Sequence, residues 1–408
     1  MITAPAAIVD VELSSDLPDI GALAQSRWVR VLVRLHGHPL GMLDLSGDEL
    51  KETDHRAMIT GRFEVEIERH YASSHPTSRD AAVCSWAAAV RGPVPDATIV
   101  INSCAASDGL RRTIDSALAQ DYPDAMVMVV DNRPAKSGIE AALRSWFPGE
   151  TRLSSVSESK PGLGRARNAG LHASATEIVA FTDDDVVLDP SWLGRLVAGF
   201  YAADGVACVT GFIAPLELET PAQVFMEEFS GFAKGFELQI WDSGEHRLAH
   251  PLYPYTVGLF GSGASAAFRR QVLLDAGGFD PYLGIGTPAI GGEDIDIYTR
   301  LVLGGHRIVY QPASLLWHLH RRDMRAANRQ IQGYGAGLTA MLTKHLVTGR
   351  ATRRAVLSRI PAGLRYALSP DSPKNARKPP EFTMRQSLLE WAGMAYGPIG
   401  YFRSRLAG

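Results

Sequence analysis

The sequence predicts an α/β protein with a Rossmann-like mixed sheet flanked by helices. From position 97 onward, short apolar runs alternate with helical segments: 98–101 is followed by a helix that ends near Leu118, and then by 126–130. This alternation is typical of crossover units on a largely parallel sheet. Further apolar runs predict strands at 177–182, 206–212 and 308–310.

Composition divides the 408 residues into three predicted domains. A hydrophobic share of 46% with 21% charged residues is ordinary for a globular chain and excludes a disordered or fibrous one. We expect a small β-containing accessory domain at 1–95, the catalytic domain at 96–323 and a helical, basic extension at 324–408. The length permits one large core with smaller units beside it.

The expected accessory domain contains an alternating apolar and polar stretch from Trp28 to Leu35, which predicts a strand closed by a turn at 37–41. A second alternation at 63–67 is compatible with a strand or a helix. The segment 91–95 is predicted to be a linker.

The C-terminal extension carries an excess of positive charge. Residues 345–408 contain 11 Lys and Arg against 3 Asp and Glu, a net of +8. We expect a long helix as far as Lys344, then a basic segment broken by prolines 361, 370, 373, 379 and 380, and an apolar, aromatic end at 384–406. Such a tail can make peripheral contact with an anionic membrane surface, although a solvated surface explains the charge equally well.

Cysteine content and the first residues indicate a cytoplasmic protein. Cys84, Cys104 and Cys208 are few and far apart, which predicts neither a disulfide framework nor a cysteine metal site. The first twelve residues lack a secretory pattern, and no apolar run approaches the roughly 20 residues that span a bilayer.

Three polar clusters directly follow predicted strands. They are Asn102-Ser103, Asp131-Asn132 and Asp183-Asp184-Asp185. Because ligands of open α/β sheets bind outside the carboxyl ends of the strands, one cleft is expected to collect all three. Three adjacent carboxylates repel one another without a cation, and hard oxygen ligands suit Mg²⁺ or Mn²⁺. An acidic loop that caps the helix near Pro190 is the structural alternative.

Two later motifs also contain candidate catalytic or metal-binding residues. Glu293 and Asp294 follow two glycines and open an apolar helix that runs to about Leu303. Acids in a first helical turn are common because of the helix dipole, yet acids after flexible glycines also present a general base at a cleft rim. His318 and His320 share one face if the segment is extended, so one of them can complete an oxygen-rich metal site.

A glycine-rich and basic segment at 160–170 lies at a predicted helix start, where backbone amides favour an anion such as pyrophosphate. Arg167 stands where the dinucleotide-binding fingerprint requires its third glycine. The segment therefore counts against a nicotinamide-binding domain.

Taken in order, these motifs resemble the inverting glycosyltransferase family 2 of bacteria, whose catalytic domain has the GT-A fold. The match covers roughly residues 97–323, and each motif alone is weak while the ordered set is specific. The motifs are the helix end at 116–123, Val129-Val130-Asp131-Asn132, the helix start at 164–170, the Asp183 to Asp185 triplet, Gly277-Gly278-Phe279-Asp280, Gly292-Glu293-Asp294, and the segment from Pro312 to His318.

The resemblance implies a metal-dependent transferase with a nucleoside-diphosphate sugar as donor and a glycan, lipid-linked or small-molecule hydroxyl as acceptor, and with no nucleic-acid partner. Asp294 is the implied catalytic base, with Glu293 as the second choice. The implied metal ligands are Asp183, Asp185, which is the last acid of the family's Asp-x-Asp motif, and His318. The implied donor-binding residues are Asn102, Asp131, Asn132, Gly164, Arg165, Asn168, Asp183 and Asp184.

Two other functions compete with this interpretation. A nucleotidyltransferase that makes sugar nucleotides also needs acids, a metal and a phosphate loop, but it usually has a glycine-rich, basic loop after its first strand, which 102–108 lack. A non-catalytic sugar-binding scaffold of the same fold has no need for Asp185, Asp294 and His318 together.

Overall fold

The computed structural model describes residues 2–23, 26–51, 54–74, 84–230, 232–256, 258–369, 371–372, 375, 378–379 and 381–407. The strands are β1 (Ala7–Glu12), β2 (Trp28–Leu35), β3 (His38–Ser46), β4 (Ala97–Ser103), β5 (Met126–Asp131), β6 (Leu153–Ser157), β7 (Ile178–Asp183), β8 (Val186–Leu188), β9 (Val206–Pro215), β10 (Gln239–Trp241), β11 (Ser265–Arg269) and β12 (Arg307–His318).

The α-helices of the described ranges are α1 (His55–Arg62), α2 (Glu64–Ser74), α3 (Trp86–Ala89), α4 (Asp108–Leu118), α5 (Ile139–Trp146), α6 (Leu163–Ala173), α7 (Trp192–Gly199), α8 (Pro221–Ser230), α9 (Arg270–Asp275), α10 (Glu293–Leu303), α11 (Met324–Thr348), α12 (Arg350–Leu368) and α13 (Met384–Ala407). None of these helices combines the length and the apolarity that a bilayer crossing requires.

A mixed sheet of nine strands forms the centre of the protein. Its order is β10-β12-β9-β11-β7-β4-β5-β6, and β8 pairs with β12 at the side. Strands β6, β5, β4 and β7 are parallel, while β11 runs antiparallel between β7 and β9. The predicted α/β class with a mixed sheet and flanking helices is confirmed.

Helices cover the sheet on both faces because successive residues of a strand point to opposite sides. In β4, Ile99 and Ile101 pack in one core with residues of α4, α5 and α7. Val100, between them, packs in a second core with residues of α6, α9 and α10.

The predicted strands of the catalytic region are confirmed, and α4 and α10 end at Leu118 and Leu303, as predicted. The strand predicted at 308–310 is part of the longer β12, whose pairing with β9 shifts register between Gln311 and Leu315. This irregularity lets one strand run from the sheet centre to His318.

Strand register brings the three polar clusters to one edge of the sheet. Asn102 pairs with Asp183 across β4 and β7, and Ser103 pairs with Asp131 across β4 and β5. Since these strands are parallel, their carboxyl ends are level, and the three polar clusters lie side by side along one edge of the sheet, as predicted.

The N-terminal unit is a three-stranded sheet, β1-β2-β3, with α1 and α2 packed against it. The strand predicted from Trp28 to Leu35 is confirmed, but the turn predicted at 37–41 is wrong in extent. His36 and Gly37 alone turn the chain, both with positive φ (52° and 77°), and β3 begins at His38. The alternation at 63–67 lies largely in helix α2.

Helices α11 and α13 pack against each other through glycine. A Cβ atom on Gly335 would lie 3.0 Å from the amide nitrogen of Met394, and one on Gly393 would lie 3.1 Å from that of Ala336. Such contacts are tighter than side chains normally allow, so glycine at these positions sets the approach of the two helices.

The predicted break at Pro361 is wrong, because this proline lies inside α12. The carbonyl of Leu357, which loses its helical partner there, belongs to a residue that is 50% exposed, so water can replace the hydrogen bond. Prolines 370, 373 and 380 lie outside the described residues.

The three-domain division stays a prediction. Near its two predicted boundaries, β4 begins at Ala97 and α11 begins at Met324.

Candidate active site

The acidic triplet starts at the last residue of β7, a strand that is otherwise fully buried. Ser103, at the end of the neighbouring β4, donates a hydrogen bond from its hydroxyl to Asp184. The ligand atoms of Asp183, Asp185 and His318 all lie within 4.8 Å of one another. The Nε2 atom of His318 is 3.4 Å from Oδ1 of Asp185.

Burial raises the pKa of all three carboxyl groups, and it raises the pKa of Asp184 to about 6 with help from the neighbouring charges of Asp185 and Asp183. Burial and His320 lower the pKa of His318 to about 4, so its imidazole is neutral at neutral pH. Neutral imidazole and carboxylate oxygens are the forms that bind divalent cations. The residues present therefore fit a metal of the Mg²⁺ or Mn²⁺ type.

His320 is separate from this cluster. Its Nε2 atom lies 2.8 Å from Oε2 of Glu227, and its ring stacks on Phe232. Of the two alternating histidines, His318 is the one placed beside the acids. Arg321, which the sequence reasoning missed, brings a half-exposed guanidinium to within 3.7 Å of Oδ2 of Asp185.

Asn102 is the next-to-last residue of β4 and Asp131 is the last residue of β5, and both are buried. The amide oxygen and nitrogen of Asn102 are buried without a hydrogen-bond partner among the described residues. Asp131 accepts hydrogen bonds from the backbone amide of Arg133, at 2.9 Å, and from the hydroxyl of Ser137, at 2.5 Å.

The side chain of Asn132 forms hydrogen bonds with backbone groups of the protein itself. Its amide group donates to the carbonyls of Glu158 and Lys160, both at 2.9 Å, and its oxygen accepts from the amide of Gly162 at 3.1 Å. Asn132 therefore holds the loop ahead of α6, and a direct contact with the donor stays a prediction.

Two predicted donor-binding residues of α6 pack against the 278–284 loop. A Cβ atom on Gly164 would lie 2.6 Å from the carbonyl oxygen of Asp280. Asn168 exchanges two hydrogen bonds of 2.8 Å with the backbone of Phe279. Arg165 is half-buried, with its guanidinium 5.7 Å from the ring centre of Tyr282.

Two backbone amides at the start of α6 already donate hydrogen bonds within the protein. Gly162 donates to Asn132, and Leu163 donates to the carbonyl of Ile285 at 2.8 Å. The binding of an anion by these amides stays a prediction.

Arg167 is the residue that links the two acidic clusters, and sequence reasoning missed this role. Its guanidinium is buried, 3.2 Å from Oε1 of Glu293 and 3.7 Å from Oδ1 of Asp183. It also lies 5.4 Å from the ring centre of Phe279. An arginine inside the 164–170 motif was the available signal, but its partners are distant in sequence.

Helix α10 presents Glu293 and Asp294 in different environments. Gly292, just before them, has a φ of 96°, and a Cβ atom there would lie 2.5 Å from the carbonyl oxygen of Gly337, so only glycine fits. Glu293 is buried against Arg167, and burial together with the charge of Asp294 raises the pKa of Glu293. Asp294 is less buried, and its Oδ2 atom accepts a hydrogen bond from the amide of Gly263 at 3.2 Å.

Asp296 belongs to a separate ionic cluster. It is fully buried, with Nζ of Lys344 at 2.7 Å and Nε of Arg300 at 2.8 Å. Although burial opposes ionisation, the imidazole of His345, whose Nε2 lies 3.3 Å from Oδ1 of Asp296, and these cations hold the pKa of Asp296 below its usual range. Asp296 thus ties α10 to α11.

Residues 95–332 match the sequence profile of the family described as glycosyltransferase like family 2. The chain belongs to this family. The matched segment contains every acid, histidine and arginine of the site described above, so the glycosyltransferase region and the cleft coincide.

The glycosyltransferase is 28% identical over 367 residues to the pre-mycofactocin glycosyltransferase of Mycobacterium tuberculosis, a match that covers 85% of this chain and 70% of the relative. It is 23% identical over 218 residues to the glucosyl-dolichyl phosphate glucuronosyltransferase of Haloferax volcanii, with 52% of this chain and 64% of that protein covered. Among solved structures, it is similar to a mannosyltransferase from Pyrobaculum calidifontis in complex with GDP-Man and Mn²⁺, with a TM-score of 0.47, 18% identity and coverage of 86% and 96% of the two chains.

Replacing Arg167 with methionine should strongly destabilise the glycosyltransferase, because it leaves the buried carboxylate of Glu293 and the partly buried carboxylate of Asp183 without their cation. We expect the free energy of unfolding in urea to fall by about 3–5 kcal/mol. The double variant Arg167→Met with Glu293→Gln should be more stable than Arg167→Met alone, since it removes one of the stranded charges. Arg165→Met, on the same helix, is the control and should cost no more than about 1 kcal/mol. Equal losses in the single and double variants would contradict the pairing.

Proposed function

We propose that the protein is a metal-dependent, inverting glycosyltransferase that moves a sugar from a nucleoside-diphosphate sugar to an acceptor hydroxyl. The observation that carries the proposal is the convergence of Asp183, Asp185 and His318 at the sheet edge, with Asp294 near enough that its charge contributes to the raised pKa of Asp183. In the proposal, the anomeric carbon of the donor binds between this cation site and the carboxylate of Asp294.

Asp183, Asp185 and His318 would hold the metal. When bound, a divalent cation supplies positive charge to the departing diphosphate. The buried and unpartnered amide of Asn102 lies beside these residues, and Asp131 lies across one strand; both are suited to hydrogen bonds with the base and ribose of the donor. We propose that Arg165 and Asp184 also contact the donor on this side of the site.

Asp294 is the proposed base. Its carboxylate takes the proton of the acceptor hydroxyl as the acceptor oxygen forms its bond to the anomeric carbon and the bond from that carbon to the diphosphate breaks. A single displacement of this kind inverts the anomeric centre. Glu293 is the weaker candidate because its carboxylate already faces Arg167 at 3.2 Å.

We also propose that the C-terminal helices hold the enzyme at the cytoplasmic face of the cell membrane by peripheral contact. In α12, four exposed apolar side chains recur at helical spacing: Leu357, Ile360, Leu364 and Leu368. In α13, six more form a stripe along one face: Met384, Leu388, Trp391, Ile399, Phe402 and Leu406. Such stripes next to basic side chains are typical of helices that lie in a membrane interface.

Charge complementarity favours an anionic bilayer as the partner of this surface. The exposed basic residues of the two helices are Arg350, Arg353, Arg354, Arg365, Arg385, Arg403 and Arg405. Each can contribute on the order of 1 kcal/mol near an anionic surface. Tyr401, by contrast, is only 2% exposed and packs towards the catalytic domain.

Metal dependence is tested with Asp185→Ala. Sugar transfer, or donor hydrolysis across a panel of nucleoside-diphosphate sugars, should require Mn²⁺ or Mg²⁺ and should be abolished by Asp185→Ala while the circular dichroism spectrum is kept. Asp115→Ala removes an exposed carboxylate on α4 and should leave activity unchanged. Full activity in excess chelator would contradict the proposal.

The base is tested with Asp294→Asn. Turnover should fall by roughly 10²–10⁴-fold, because proton transfer to the base is lost, while the affinity for the nucleoside diphosphate changes little. Asp275→Asn, an exposed carboxylate, is the matched control. Wild-type turnover in Asp294→Asn would assign the role to another acid, with Glu293→Gln as the next variant to measure.

Membrane contact is tested by co-sedimentation of the full chain with vesicles. The protein should sediment with anionic vesicles at low salt, less at high salt, and not with neutral vesicles. The double variant Leu388→Ser with Phe402→Ser should weaken binding, whereas Leu238→Ser, which removes an exposed apolar side chain elsewhere, should not. Failure of anionic vesicles to sediment the wild-type protein at low salt would reject the membrane surface.

A further inference from the structure

We propose that the N-terminal unit contains a zinc site formed by His36, His70 and Cys84. The three side chains come from the β2–β3 turn, from helix α2 and from the segment ahead of α3. Their ligand atoms all lie within 4.8 Å of one another. The site is separate from the carboxylate cluster of the cleft, and its ligand chemistry is different.

The two distances that involve Nε2 of His70 match tetrahedral zinc. Nδ1 of His36 lies 3.2 Å from Nε2 of His70, and Sγ of Cys84 lies 3.4 Å from that same nitrogen. With Zn–N bonds of about 2.05 Å and Zn–S bonds of about 2.3 Å, a tetrahedron separates two nitrogens by about 3.3 Å and a nitrogen from a sulfur by about 3.6 Å.

Hydrogen bonding alone explains this convergence less well. Nε2 of His70 carries either one proton or one lone pair, yet both His36 and Cys84 approach it. A metal ion between the three atoms satisfies all of them at once. Two imidazole nitrogens and one thiolate favour Zn²⁺ over Mg²⁺ or Mn²⁺, which prefer oxygen ligands.

The surrounding residues hold the ligands in place. Glu12 accepts hydrogen bonds of 2.9 Å from the amides of His36 and Gly37, which fixes the turn. Arg195 of α7 donates to the carbonyl of His36 at 3.1 Å and to the carbonyl of Cys84. A buried cation beside Cys84 also favours the thiolate, which is the form that binds a metal.

The expectation that no cysteine takes part in a metal site rested on spacing along the chain. His36 and His70 are 34 residues apart, and His70 and Cys84 are 14 apart, which matches no compact zinc motif. The fold brings them together across the small N-terminal core. Zinc there would fasten three separate segments to one another and, through Arg195, to the catalytic domain.

The test uses the full chain and cobalt as a spectroscopic probe. Wild-type protein loaded with Co²⁺ should show the near-ultraviolet charge-transfer band of a thiolate bound to cobalt, a band that the carboxylate site cannot give. Cys84→Ser and His70→Gln should lose it, and Cys104→Ser, which removes an exposed cysteine, should keep it. Zinc should also raise the thermal midpoint of wild type and Cys104→Ser by more than that of Cys84→Ser, in which the carboxylate site is still present.

A measurement on the wild-type protein alone tests the site even if the variants fail to fold. Zinc should slow alkylation of Cys84 relative to the chelator-treated protein, while exposed Cys104 reacts at the same rate in both, as read by mass spectrometry. A wild-type protein that shows no thiolate band with cobalt, or in which zinc leaves the alkylation of Cys84 unchanged, would overturn the site.

Discussion

Burial of negative charge at the end of β7 is the constraint on which the site depends. Asp183, Asp184 and Asp185 follow a strand with no exposed residue, and burial raises the pKa of each. The chain supplies only partial compensation: Arg167 approaches Asp183 but is shared with Glu293, and Arg321 reaches Asp185 from a half-exposed position. Two carboxylates and a neutral imidazole lie within 4.8 Å of one another, an arrangement that fits a divalent cation.

The residues assigned to the donor from the family resemblance divide into two groups. The amide of Asn102 is buried without a hydrogen-bond partner among the described residues, whereas the amides of Asn132 and Asn168 bind backbone groups of the 158–162 and 278–284 segments. Gly164 works in the same way, because its missing side chain lets α6 approach Asp280. The second group shapes the site by fixing its loops.

The sequence predicted features that depend on local pattern and missed those that depend on long-range contact. Apolar periodicity located the strands of the catalytic region, and the ends of α4 and α10, because burial and helix capping act over a few residues. The role of Arg167 was missed since Glu293 is 126 residues away. The cluster of His36, His70 and Cys84 was missed for the same reason. The predicted helix break at Pro361 was wrong because, in a surface helix, the carbonyl that loses its hydrogen bond to the proline can bind water instead. The position of a proline in the sequence does not show whether that carbonyl reaches solvent.

The N-terminal unit contacts the segment that follows the acidic triplet. Asp185 leads into β8 and then Asp189, whose Oδ2 atom lies 2.8 Å from Arg34 of β2, while its Oδ1 atom accepts hydrogen bonds from Ser191 at the start of α7. Arg195, one turn further along α7, binds the carbonyls of His36 and Cys84. Both connections involve buried charge, so loosening either would leave an arginine or a carboxylate unpaired in a dry environment. β8 also pairs with the end of β12 that carries His318. The segment from Asp185 to Asp189 therefore connects the strand end that carries His318 with Arg34 of the N-terminal unit.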